Sequence, residues 1–373
     1  MFRQLCFEGK PRRSKLVGLL LVGIAAAVLA AAGCAAEPAA PEKAPAAEVP
    51  KQTGVAETIE LKLAHFWPSA HQIETQFVPG WAKVIEEETN GRVKLTSYPG
   101  ETLLKAAEIY DGVVTGIADI GISCYSYTRG RFPVMEVFEL PGITYNNARV
   151  SSRAAWDAMK TINPAELQDT KHLMIFSTGP GVLMTKAPVQ KLSDLEGMEI
   201  RATGVSAETI KLLGATPVAM PQSESYEALS KGVVKGNLAP LETLKGWKFA
   251  EVVDFVTDAP FLYNTLFFVV MNQNKWDSLP ADIRQAIEDS TSRYYEETGM
   301  GFFDPINEEG KKFAEEHNVQ FFSLSDEEKA LWIECLQPLL DDYVKRMEEL
   351  NLPGDEYVET AKKLSEQFNE QYK

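Results

Sequence analysis

The sequence predicts an α/β protein of two lobes, a clamshell in which each lobe is an open β-sheet flanked by helices, with long C-terminal helices closing the chain. Three observations carry that expectation. Residues 58–123 alternate strand and helix patterns in the order β-α-β-α-β, which argues for an open sheet with parallel pairing. A similar cycle starts again near Met198. The body from about Thr58 to Lys373 is some 316 residues long, more than one ordinary core serves.

The elements follow in order. Thr58–Phe66 sets Ile59, Leu61 and Leu63 against Glu60 and Lys62, the period of a half-buried strand. Ile73, Phe77, Trp81, Val84 and Ile85 then recur at helical spacing, and Asn90-Gly91 closes that helix with residues suited to left-handed dihedrals. Arg92–Tyr98 reads as a second strand, Glu101–Thr115 as a second helix and Ala118–Ser123 as a short buried strand. The second cycle comprises strands at Met198–Arg201 and Thr216–Met220 and helices at Ala207–Leu213 and Ser223–Lys231. Leu266–Asn272 is a strongly apolar strand, and Ala281–Thr298 a helix. Ser325-Asp326-Glu327-Glu328 forms a capping box for a long last helix that Pro338 should kink or divide. The expected lobes are 58–181 with 264–310, and 182–263 with 311–373, the latter including the closing helices. A ligand cleft is expected where strand carboxyl ends face one another.

Before that body stands an address. Arg12, Arg13 and Lys15 precede an uncharged run from Leu16 to Gly33, rich in Leu, Val and Ala. A basic start plus an apolar core of this length reads as a secretory signal over residues 1–33. Eighteen uncharged residues are also just long enough to span a membrane, which is the alternative. The ending Ala31-Ala32-Gly33-Cys34 resembles the bacterial lipobox, in which the Cys is lipidated and becomes the mature N-terminus; the favoured Leu three residues upstream is Ala31 here. Arg12-Arg13 is similar to a twin-arginine signal, but Pro11, Ser14 and Lys15 fit it poorly. Residues 34–57 are dominated by Ala, Pro and Glu and bury no core, so they read as a tether between lipid and body.

Charge divides the chain the same way. The 373 residues carry 37 basic and 53 acidic side chains, a net −16. Residues 1–33 hold five of the bases and one of the acids, so the rest stands at about −20. A body this acidic repels phosphate backbones, which argues against a nucleic-acid partner. It is repelled by anionic membranes too, so attachment needs a lipid or hydrophobic anchor.

Chemical motifs are sparse. Beyond Cys6 and Cys34, only Cys124 and Cys335 remain, either one disulfide or two unpaired buried thiols. His65 and His71 stand close in sequence, where packing or a pocket hydrogen bond is the plainer reading than metal ligation. No G-x-S-x-G elbow, phosphate loop, dinucleotide fingerprint or metalloprotease helix occurs. Glu86–Glu88 and Asp341-Asp342 read as solvated helix surface. No cofactor or metal is called for. An exported α/β hydrolase or lyase with an unrecognised site stays open as the alternative function.

One set of phrases carries a resemblance. Leu192-Ser193-Asp194-Leu195-Glu196-Gly197-Met198-Glu199-Ile200-Arg201 resembles the "L-x-D-L-K-G-x-K-I-R" segment of solute-binding proteins of TRAP (tripartite ATP-independent periplasmic) transporters, the DctP family. Leu213-Gly214-Ala215-Thr216-Pro217-Val218, Tyr226-Glu227-Ala228-Leu229 and Val234-Lys235-Gly236 follow in the family's order. Glu88–Val93 and Tyr98-Pro99-Gly100 match upstream, and Val270-Met271-Asn272 with Lys275–Pro280 matches downstream.

The resemblance implies a periplasmic-binding-protein-like receptor, not an enzyme. It captures a small organic carboxylate and delivers it to TRAP membrane permease subunits. It implies a periplasmic place, to which the lipobox-like ending adds a lipid anchor at Cys34. The family's carboxylate-binding Arg matches Arg201. A guanidinium stays charged at any relevant pH and its fork matches two carboxylate oxygens. By itself, an Arg at a strand end reads as well as the partner of a neighbouring acid. Two departures stand out. The family's "D-G-x-E-N-P" is Lys235-Gly236-Asn237-Leu238-Ala239-Pro240 here, so the usual Asn is Ala239; either one contact is missing or Asn237 supplies it from another angle. A second Arg of sugar-acid binders aligns near Gly181, where no positive side chain stands. With Phe66, Trp67, Tyr125, Tyr127 and Phe267 as expected walls, a monocarboxylate with an apolar or aromatic body follows. The expected ligand-binding set is Arg201, Asn237, Gly181, Trp67, Tyr125, Gln222, Asn264 and Phe267.

Overall fold

The computed structural model describes residues 58–373; the expected signal 1–33, Cys34 and the tether 34–57 lie outside the described residues. Alternation places Leu61 and Leu63 of β1 (Ile59–His65) on the core side, both without solvent exposure. Around it run β2 (Val93–Tyr98), β3 (Ile120–Cys124), β4 (Thr170–Ser177) and, far downstream, the wholly buried β10 (Leu266–Asn272). Between them in sequence lie β5 (Val182–Thr185), β6 (Glu199–Arg201), β7 (Thr216–Val218), β8 (Gly236–Ala239) and β9 (Phe255–Asp258), and β11 (Gln320–Ser323) comes last. The first sheet has the order β2-β1-β3-β10-β4 and the second β11-β9-β5-β8-β6-β7. These are the two lobes of a clamshell.

Both sheets are mixed, where the sequence pattern argued for parallel pairing. β1 pairs in parallel with β2 and β3, and β6 with β7 and β8. β10 is antiparallel to β3 and β4, and β5 is antiparallel to β8 and β9. The reason is topological. The chain leaves the first lobe after β4 and returns as β10, so the returning strand enters that sheet in the opposite sense. The two crossing segments lie side by side: Thr178 N donates to Thr265 O (3.1 Å) and Gly181 N to Tyr263 O (3.0 Å). This paired crossing is the hinge.

The expected helix at Glu101–Thr115 begins only at Ala106, as a 3-10 turn, and becomes α-helical over Ile109–Val114. Glu101 sits at φ +61°, and its carboxylate accepts from Ala106 N at 2.8 Å, which holds 101–105 as a turn. Other caps fall where the residue types predict. Asn90 and Gly91 take positive φ after the Val78–Glu88 helix, and Ser325 Oγ accepts from Glu328 N at 3.2 Å. Pro338 divides the last helical stretch into Asp326–Leu336 and Pro338–Glu349.

The terminal helix Gly354–Gln371 does not join the second lobe, as its place within 311–373 suggested. It packs on the Ala148–Ile162 helix of the first lobe with its buried face of Val358, Ala361 and Phe368. Ser365 Oγ and Asn369 Nδ2 both donate to Thr144 O. The back of the second sheet has a core of its own, where Leu183, Ile200 and Leu238 meet Trp332 and Leu336. With Ile200 and Leu238 turned to that core, alternation turns Arg201 and Asn237 to the opposite face, toward the first lobe.

Candidate ligand cleft

Arg201 ends β6 and is 1% exposed. Its Nε donates to Met220 O (3.0 Å) and its Nη2 to the Tyr127 hydroxyl oxygen (3.3 Å). Neither partner is charged, and no carboxylate of the described residues pairs with it. The reading of Arg201 as the partner of a neighbouring acid therefore falls. A buried guanidinium with only neutral partners carries an uncompensated desolvation cost of several kcal/mol. Its site is complementary to an anion.

The neighbouring groups are incomplete in the same way. Asn237 on β8 is in register with Arg201 on β6, so both side chains share a face. Asn237 has no exposure, yet neither its Oδ1 nor its Nδ2 has a partner among the described residues. Gln222 donates its backbone N–H to Tyr127 Oη at 3.0 Å, while its buried Nε2 donates to nothing described. Tyr127 accepts two N–H bonds, so its own proton remains to be donated. Burial holds that phenol well above its ordinary pKa, hence neutral, although the nearby Arg201 charge pulls the other way.

Aromatic side chains wall the cleft. Phe66 stacks on Trp67 (centroids 4.0 Å apart) and lies parallel to Trp247 of the second lobe at 6.1 Å. Phe267 meets Trp67 at 5.0 Å. The hinge contributes Thr178 and Tyr263, and the second lobe Gln222, Glu242 and Trp247. The lobes are shut closely: the remaining cavity is about 20 Å³, room for about one water. A larger hollow of about 610 Å³ on the outside of the first lobe lies open beside Lys171 and Glu288, which neutralise each other at 2.5 Å. It has no uncompensated charge of the Arg201 kind.

Of the expected ligand-binding residues, Arg201, Asn237, Gln222, Trp67 and Phe267 come together at this cleft. Three do not. Tyr125 lies behind it in the first-lobe core, edge-on to Phe132 and Phe268 and stacked with His172, because the 3-10 turn Tyr125–Tyr127 sends alternate rings opposite ways. Asn264 is spent on structure: its Oδ1 accepts from Ser151 Oγ (3.0 Å) and Ser177 Oγ (2.6 Å), and its Nδ2 donates to Phe138 O (3.0 Å). Gly181 belongs to the hinge, where a Cβ would stand 2.3 Å from the Tyr263 ring. It is glycine for close packing.

Glu242, Trp247 and Tyr263 reach the site without a local signal, while His71 makes the kind of pocket hydrogen bond its segment allowed. His65 and His71 bond to different carboxylates, Glu74 and Glu242, each at 2.9 Å. Cys124 and Cys335 form no disulfide; Cys124 borders the cleft, and Cys335 is half-buried rather than buried as expected. Burial raises the Cys124 thiol well above its ordinary pKa, so it stays neutral.

A hinged pair of α/β lobes closing on a buried, uncompensated cation defines a ligand-capturing receptor. Residues 63–346 match the family described as bacterial extracellular solute-binding protein, family 7 (DctP), and the chain belongs to that family. It resembles a marine metagenome TRAP solute-binding protein specific for aromatic acid ligands, solved with metahydroxyphenylacetate. That match is 30% identical, covers 83% of this chain and 99% of the other, and has a TM-score of 0.79. A TRAP solute-binding protein from Rhodoferax ferrireducens T118, solved with copurified benzoate, is 27% identical over 85% of this chain and 100% of its own, also at 0.79. The C4-dicarboxylate-binding periplasmic protein DctP of Rhodobacter capsulatus is 27% identical over 79% of this chain and 89% of its own length. The protein is a solute-binding receptor of the TRAP type.

Proposed function

We propose that this receptor captures a monocarboxylate with a single aromatic or comparably apolar ring and delivers it to TRAP permease subunits. Arg201 takes the carboxylate, with Asn237, Gln222 and the Tyr127 hydroxyl completing its hydrogen bonds, and Phe66, Trp67, Trp247 and Phe267 enclose the ring. The observation that carries the reading is Arg201 itself, buried and served only by neutral oxygens. The ligands of the aromatic-acid and benzoate receptors agree with it. Asn237 stands one pleat deeper than Ala239, so it reaches the carboxylate beside the guanidinium rather than from the strand end.

Calorimetric titration with benzoate and phenylacetate tests this. Two charge-assisted bonds at roughly 1.5–3 kcal/mol each put the loss in Arg201→Ala at about a hundredfold or more. Unchanged affinity in that variant would sink the assignment.

We also infer that the receptor works outside the cytoplasmic membrane on a lipid anchor at Cys34. Its lipobox-like ending, its Ala/Pro/Glu-rich tether and its periplasmic relative support this. No helix among the described residues is long and apolar enough to cross a membrane. A Cys34→Ala form is expected in the soluble fraction; pelleting with membranes instead would assign residues 16–33 to a membrane span.

A further inference from the structure

The cleft has a second polar pole, and it is acidic. Glu242 borders the cavity from the second lobe and is 3% exposed. Its Oε2 lies 2.9 Å from His71 Nε2 of the first lobe. The protonation of that imidazole follows from its other nitrogen: Nδ1 accepts from Ile73 N at 3.1 Å and so carries no proton. The ring proton is therefore on Nε2 and is donated to Glu242. The hydrogen bond occupies one oxygen of Glu242. The other oxygen, Oε1, accepts from no donor among the described residues.

Local packing is shaped around this pair. Gly246 faces it, and a Cβ there would come within 2.7 Å of both Glu242 Oε2 and the His71 ring. Asn307 Oδ1 accepts from the Glu242 backbone N–H at 3.0 Å, which holds the start of the segment in place. Trp247, one residue beyond the glycine, joins the aromatic wall. A buried carboxylate with an unfilled acceptor, next to an aromatic enclosure, is complementary to a hydrogen-bond donor on the ligand.

We propose that Glu242 is a specificity-determining residue that selects ring carboxylates bearing a second, hydrogen-bond-donating group such as a hydroxyl. The proposal rests on the reading that Arg201 takes the carboxylate. Arg201 then secures any such acid, and Glu242 distinguishes the hydroxylated acid from its parent. The rival role for Glu242 is a latch, because its bond to His71 also joins the two lobes. A latch strengthens closure over every ligand alike; a specificity residue changes the ratio between ligands.

The test is calorimetric titration of benzoate against 3-hydroxybenzoate and of phenylacetate against 3-hydroxyphenylacetate, using the mature chain, Glu242→Leu and Glu242→Gln. Wild type is expected to favour the hydroxylated member of at least one pair by roughly tenfold or more, the size of one hydrogen bond to a charged group. In Glu242→Leu that ratio falls to about one. Glu242→Gln keeps the shape and a neutral acceptor, so it retains part of the ratio and covers the case in which the Leu variant fails to fold. Equal weakening of both members of a pair in the variants overturns the proposal and leaves a latch. So does a wild type that binds both members equally, in which case the Arg201 reading still stands. If wild type binds none of the four acids, the Arg201 reading falls first.

Discussion

The cleft and the hinge of this receptor are built from the same kinds of buried polar residue, used in opposite ways. At the hinge Asn264, Thr178 and Thr265 are paired. Asn264 makes three hydrogen bonds, and Thr178 and Thr265 bond to each other's backbone. At the cleft the pairing stops short: among the described residues Arg201 meets no acid, Asn237 has no partner at either end and Gln222 Nε2 donates to nothing. Unpaired buried groups cost roughly 1–3 kcal/mol each, more when charged. A fold that keeps several of them in one place has a use for them.

Substitutions break this comparison in distinguishable ways. Arg201→Ala carries the largest effect, the loss of ligand binding by a hundredfold or more, yet its thermal midpoint without ligand should not fall, because the buried charge it removes has no ionic partner. A destabilised apo protein would place Arg201 among the structural groups. Asn264→Ala should do the reverse. It orphans Ser151, Ser177 and the Phe138 carbonyl, and urea unfolding is expected to show a loss of about 3 kcal/mol. Once folded, the variant should bind benzoate within a few-fold of wild type; a collapse of affinity without a loss of stability would make Asn264 a ligand contact after all.

Glu139 supplies the third and smallest test. Its carboxyl is buried against the hinge, where Oε1 accepts from Leu266 N at 2.8 Å. Burial pushes its pKa up to about 8, the backbone bond only partly opposing. Between the ordinary carboxylate value and pH 8 the folded protein therefore holds a proton that the unfolded chain has released. That contribution is fully present at low pH and is lost as pH rises toward 8. Glu139→Gln should remove the loss, raising stability over wild type by on the order of 2 kcal/mol at pH 8 and by little at pH 4.5. His172, lowered to about 4 by burial, acts in the opposite sense between pH 4 and 6.5, so the difference between variant and wild type is the measurement to make. Equal differences at both pH values would show that Glu139 does not titrate in this window.

How much of this was legible in the sequence depends on the range of the interaction. Period-two alternation in β1, the Asn90-Gly91 cap, the Ser325 cap and the break at Pro338 are local, and each is where its residue types place it. The helix expected from Glu101 failed for an equally local reason, a carboxylate that caps Ala106 from a left-handed residue. The resemblance named Arg201 and a departure from it pointed to Asn237, and the structure puts both on the face turned toward the first lobe. The site was not legible at Tyr125 and Asn264, whose residue types suit a pocket as well as a core. The destination of a side chain there is set by what packs against it, much of it distant in sequence: Phe268 for Tyr125, and Ser151 and Phe138 for Asn264.

The sequence by itself determined most of the elements, the two-lobed α/β plan and the family. All of these follow from neighbours within a few residues or from a spacing repeated along the chain. Tertiary structure alone decided the antiparallel return of β10, the terminal helix lying on the first lobe, and the meeting of Arg201, Tyr127, His71 and Glu242 in one cleft. Those depend on where the chain crosses the hinge and on which buried groups are left without partners, and no local pattern encodes either.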